Sequence, residues 1–197
     1  FGIGHGSLWI DGVNPNTVYA ALDGATTLYR SQALGELGTW TNVASGLPEI
    51  FALSGNVTAP ATLYLGHQRG FQRSTNQGAS FTPPISGILW PDTNIHIIAA
   101  SPSELNVAYA SGPNGTVFRT GSGGQSWSQV FGGGNGFALS ASQPMTLFAS
   151  GEEPPFSAVP ETIHKSINAG ASWTRVYSGP GAEYGSSARI KAIAVHP

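Results

Sequence analysis

The chain has 197 residues, 40% of them hydrophobic and only 9% charged, with 27 Gly, 14 Pro and no Cys. Its net charge of -2 offers no electrostatic footprint for a phosphate backbone or an acidic membrane surface. The absence of cysteine excludes disulfides, thiolate zinc sites and a Cys nucleophile, and a chain this rich in Gly and Pro predicts short strands in an all-β fold.

The opening FGIGHGSLWI has neither Met nor the basic segment of a signal peptide, so the chain is expected to be a processed or internal piece of a longer protein. No apolar run approaches the roughly 18 residues of a membrane-spanning helix. Four similar units then follow. Each begins with an apolar run, SLWIDGV, IFALSGNV, HIIAASP and FALSASQP in turn, which predicts an inner strand A. Each continues with a short aromatic strand B, TVYAA, TLYLG, VAYAS and TLFAS.

Strand C ends at a basic residue, and the three best copies align on it. Arg73, Arg119 and Lys165 lie 46 residues apart in succession. Each is followed by Ser74, Thr120 or Ser166, by Gly78, Gly124 or Gly170, and by Phe81, Trp127 or Trp173 where strand D opens. A looser copy opens at Arg30, with two extra residues delaying Trp40. Four strands in about 45 residues is the size of one propeller blade, and the expected blades are 6–48, 49–94, 95–136 and 137–188, with 189–197 as the first strand of a next blade.

The motif of residues 166–173, Ser-x-Asn-x-Gly-x-Ser-Trp, resembles the Asp-box, or BNR, repeat of sialidases, sortilin-type receptors, xyloglucan-cleaving endoglucanases and a photosystem assembly factor. The resemblance implies a β-propeller, part of a larger one, in which each box is the C-to-D turn, Gly takes a positive φ and the aromatic packs between blades. The usual Asp is Asn76, Ser122 or Asn168 here, and Ala33 in the first copy. The boxes are therefore expected to be structural turns, with no metal and no cofactor.

Propeller topology puts the A-to-B and C-to-D turns on one face and the B-to-C and D-to-A connections on the other. The longest connections, 151–164 and 82–94, make the second face the expected ligand face. Trp90, His96, Arg69, Phe156 and Tyr184 fall there as candidate binding residues. Asp92 is the catalytic candidate, since xyloglucan-cleaving relatives look similar in holding a carboxylate in such a connection, but glycoside hydrolysis needs a second carboxylate. Sialidase chemistry resembles a scheme needing three arginines, and only Arg69 and Arg189 reach that face outside the repeat pattern.

The expected function is a non-catalytic module of a secreted or surface protein, extracellular or periplasmic, recognising a glycan or a protein through its loop face. Nucleic acid and membrane insertion are not expected. Two alternatives stand beside it: a fragment of a glycoside hydrolase, and a structural subunit of an extracellular assembly. A further chain or missing blades would complete the ring, because an unpaired hydrophobic edge is a liability.

Overall fold

A computed structural model describes residues 7–22, 25–68, 70–83, 94–112, 115–133, 136–151, 162–178 and 193–195. Four antiparallel meanders follow one another. The first is β1 (Ser7–Ile10), β2 (Val18–Ala21), β3 (Leu28–Ser31) and β4 (Thr41–Ala44). The second is β5 (Ile50–Asn56), β6 (Ala59–His67) and β7 (Gly70–Ser74). The third is β8 (Ile97–Ala100), β9 (Ala108–Ser111), β10 (Val117–Thr120) and β11 (Ser128–Phe131). The fourth is β12 (Phe137–Leu139), β13 (Leu147–Gly151), β14 (Thr162–Ser166) and β15 (Thr174–Ser178).

Two expectations fall in part outside the described residues. The second sheet has three strands, because residues 81–83 are not in a strand and 84–93 lie outside the described residues. Of the segment 189–197, only 193–195 are described, and they are not in a strand.

Sheets of four-residue strands bury little alone, so the core must lie between them. The inner strands β1, β5, β8 and β12 touch one another in that order, and no comparable contact returns from β12 to β1 among the described residues. The molecule is a partial β-propeller, an open arc of blades. Each blade has a front face, toward the blade that follows, and a rear face.

Alternation of side chains along the strands assigns residues to these faces. Between blades 1 and 2, Tyr19, Ala21 and Leu28 meet Ile50, Leu53, Leu63 and Leu65. Between blades 2 and 3, Ala52, Tyr64 and Phe71 meet Ile98, Ala108 and Ala110. Between blades 3 and 4, Val107, Tyr109 and Val117 meet Phe137, Leu147 and Ala149. Glycines permit the closest approaches. A Cβ on Gly55 would collide with the Trp9 ring, and one on Gly124 with the Phe71 ring.

One pair recurs on the front faces. Tyr19 opposes Arg30 across the sheet, Tyr64 opposes Arg73, Tyr109 opposes Arg119 and Phe148 opposes Lys165. The tyrosine hydroxyls reach into the next blade. Tyr19 donates to the Gln77 carbonyl (3.4 Å), Tyr64 to the Leu105 carbonyl (3.0 Å) and Tyr109 to the Ala169 carbonyl (3.5 Å). Arg30 adds a bond from Nη1 to Gln77 Oε1 at 3.1 Å. Burial raises all three tyrosine pKa values above the usual one, with the paired guanidinium pulling the other way.

Candidate functional site

The box turns form the blade rim. In the fourth blade Ser166 Oγ accepts from the Gly170 amide (2.9 Å) and donates to Asn168 Oδ1 (2.9 Å). Asn168 Oδ1 also accepts from the Ser172 amide (2.9 Å), while its Nδ2 donates to Ser172 Oγ (2.8 Å). The second blade repeats this with Ser74, Asn76, Gly78 and Ser80. In the third, Thr120 takes the Gly124 amide and Ser122 Oγ takes the Ser126 amide. Left-handed backbone at Gln77 and Gly78, Gly123 and Gly124, and Ala169 and Gly170 closes each turn.

Ser74, Asn76, Thr120, Ser122, Ser166 and Asn168 are thus committed to their own turns. The first blade compensates for Ala33: Ser31 Oγ takes the Gly35 amide (3.0 Å) and pairs with Thr39 Oγ1 at 2.6 Å. The box aromatics reach back toward the preceding blade. Trp127 meets Phe71 edge-on at 5.2 Å, Trp173 lies 4.8 Å from Phe131, and Phe81 packs against the joint of blades 1 and 2.

The opposite face is the one on which ligand-binding residues are expected from the sequence. Trp90, Asp92, Arg69, Phe156 and Tyr184 lie outside the described residues, and His96 lies within them. The backbone that carries His96 is tied to two blades. The Ile95 amide donates to the His67 carbonyl at the end of β6 (3.2 Å), and the His96 amide donates to the Ser111 carbonyl at the end of β9 (3.0 Å). Gly66 allows this approach, since a Cβ there would fall 2.7 Å from the Ile95 carbonyl oxygen. Ile95 is buried and anchors the segment, leaving His96 exposed.

The His96 ring stacks on Phe51, near the start of β5, with centroids 5.1 Å apart and planes 24° from parallel. Sequence reading placed His96 on this face but missed Phe51. The signal was available: IFALS and HIIAA begin adjacent inner strands, so their first aromatic residues share one end of the arc. Phe131 makes a second contact with a histidine, 5.2 Å from His164, whose Nδ1 lies 3.4 Å from Thr162 Oγ1. His164 belongs to the rear face of its blade and fills the joint between blades 3 and 4.

Among the described residues, no three His, Asp or Glu side chains gather as a metal site would require. No described helix is long and apolar enough to cross a membrane.

No protein-family model matches the chain, and no curated protein does. Solved structures do resemble it. A Niastella koreensis GH74 enzyme is 17% identical with a TM-score of 0.53, over 86% of this chain and 37% of that one. YCF48 from Cyanidioschyzon merolae is 14% identical with a TM-score of 0.62, over 93% of this chain and 57% of that one. YCF48 bound to D1 peptide is 14% identical with a TM-score of 0.58, over 89% and 58%. The chain therefore spans between about a quarter and three fifths of the structures it resembles, and what it shares with them is the β-propeller fold.

Proposed function

We propose that this chain is a non-catalytic recognition module of a secreted or surface protein, binding a glycan or a protein segment on the face formed by its B-to-C and D-to-A connections. The exposed ring of His96, stacked on Phe51 and held by backbone bonds from two blades, is the observation that carries this reading. A rigid flat surface of this kind suits the apolar face of a sugar ring or an aromatic or proline side chain. The D1 peptide bound by YCF48 supports a peptide as ligand, and the GH74 likeness supports a glycan. Titration of the chain against oligosaccharide and peptide panels separates the two. Substitution His96→Ala or Phe51→Ala is expected to weaken the ligand found by at least about tenfold, or 1.4 kcal/mol. Unchanged affinity in both variants would place binding elsewhere.

The second reading, part of a glycoside hydrolase, is favoured by the fold shared with the GH74 enzyme and by Asp92. Its test is release of reducing sugar from β-linked glucans. Hydrolysis that disappears in Asp92→Asn would establish it over the first.

A further inference from the structure

The three joints of the arc differ at their inner ends, where the inner strands meet. Two positions on the inner strand decide what happens there. One lies opposite the aromatic of strand B and is Trp9, Ser54 and Ala99 at successive joints. The other caps the A-to-B turn and is Asp11, Asn56 and Ser101. At the first joint Trp9 fills the notch at Gly55 as a large apolar wedge. At the second, Ser54 Oγ accepts from the Ala100 amide (3.0 Å), and Asn56 Nδ2 donates to the carbonyls of Ser101 (3.0 Å) and Glu104 (3.2 Å). Asparagine can do two tasks at once: its Oδ1 holds its own turn while its Nδ2 crosses to the next blade.

The third joint has the least at both positions. Ala99 offers a methyl group, and the shorter Ser101 accepts from the Ser103 and Glu104 amides of its own turn (3.4 and 3.2 Å). The tyrosine bond is long there as well, 3.5 Å for Tyr109 against 3.0 Å for Tyr64. The outer end of the same joint is firmly tied. Trp173 Nε1 donates to the Val130 carbonyl at the edge of β11 (2.7 Å), and its ring lies 4.8 Å from that of Phe131. An element tied at its outer end, and held at its inner end chiefly by apolar contact, can pivot about the tie.

We propose that the joint between blades 3 and 4 is a hinge. It opens at its inner end, between β8 and β12, about the bond from Trp173 to Val130, while blades 2 and 3 move as one rigid body. Opening uncovers Phe137 and Ala149 on the rear face of blade 4, with Ala99 and Tyr109 opposite them, as an apolar cleft in the inner wall of the arc. The rigid pair is the one that carries Phe51 and His96 across its joint. Their stack therefore keeps its geometry while the wall beside it moves.

Thiol labelling reads such opening, because the chain has no cysteine of its own. Ala110 and Ala149 hold the same position on β9 and β13, both are fully buried, and they line the second and third joints respectively. In the single variants Ala110→Cys and Ala149→Cys, reaction with an aromatic disulfide reagent under native conditions is expected to be at least about tenfold faster in the second. Ser101→Asn, which copies the Asn56 clamp into the third joint, is expected to slow labelling of Ala149→Cys, and Asn56→Ser to speed that of Ala110→Cys. Hydrogen exchange needs no introduced thiol. Ser101→Asn alone is expected to raise the protection of β12 amides, and amides of β14 in the parent chain should stay protected over the time in which Ala149→Cys reacts. Equal labelling rates, or β12 amides and Ala149→Cys both indifferent to Ser101→Asn, would overturn the hinge. So would loss of β14 protection as fast as labelling, since the whole blade would then be unfolding.

Discussion

Gly124 and Gly38 have similar backbone, with φ of 94° and 83°, yet very different surroundings. A methyl group at Gly124 would collide with Phe71, whereas one at Gly38 would meet nothing within 4 Å. Gly38→Ala is expected to cost about 1 kcal/mol, the strain of left-handed backbone alone. Gly124→Ala should cost at least about 3 kcal/mol, because overpacking at the joint is added to that strain. Urea midpoints of the two variants measure the difference. Asn56 shows how a residue can mislead in sequence. It opens the sequon Asn-Val-Thr, yet it is fully buried, and its Nδ2 donates to the Ser101 (3.0 Å) and Glu104 (3.2 Å) carbonyls of the next blade. Its Oδ1 accepts from the Thr58 amide and hydroxyl and the Ala59 amide. A glycan on that nitrogen is incompatible with both donor bonds. Peptide mapping of folded protein from a glycosylating host is expected to find Asn56 unmodified, and Asn56→Ala should lose roughly 2 to 4 kcal/mol by leaving two carbonyls unpaired.

At the scale of the element, the box turn explains why Asn serves where the related repeat carries Asp. Both offer an Oδ to the Ser172 amide within the same turn, and the Ser172 hydroxyl can donate or accept. Asn168→Asp is therefore expected to stay within about 0.5 kcal/mol of the parent, while Asn168→Ala should cost about 1 kcal/mol. Thermal unfolding of both variants checks the pair of values. These turns were legible in sequence because everything that makes them lies within eight consecutive residues. The A-to-B turns escaped notice because their caps differ chemically from blade to blade. Asp11 Oδ1 takes the Val13 amide, Asn56 takes that of Thr58, Ser101 takes that of Glu104 and Ser140 takes that of Gln143. One role filled by three residue types leaves no repeated letter to find.

Across the whole molecule, what sequence could not disclose is what one blade does to another. The apolar alternation announced strands, but only the packed arc shows that Tyr19, Tyr64 and Tyr109 point forward to the next blade, or that Phe51 meets His96 across a joint. The buried tyrosines tie stability to alkaline pH. Their folded pKa values stand above the ordinary 10.0, chiefly through burial. The stability linked to their protonated form is complete below about pH 10, where the unfolded chain also keeps those protons, and is lost as pH rises through the folded values. Circular dichroism and tyrosinate absorbance followed together are expected to change in one transition above pH 10. Separate transitions would mean that the hydroxyls ionise without opening the joints.

The joint also has a direction: the tyrosine hydroxyl at all three joints, and the Arg30 cation at the first, come from the earlier blade, and the accepting turn from the later one. A 46-residue unit excised between strand D of one blade and strand A of the next carries both halves in the right order. Gene duplication or loss of whole units can therefore lengthen or shorten the array without redesigning a single contact, while a unit cut elsewhere leaves a mismatched seam.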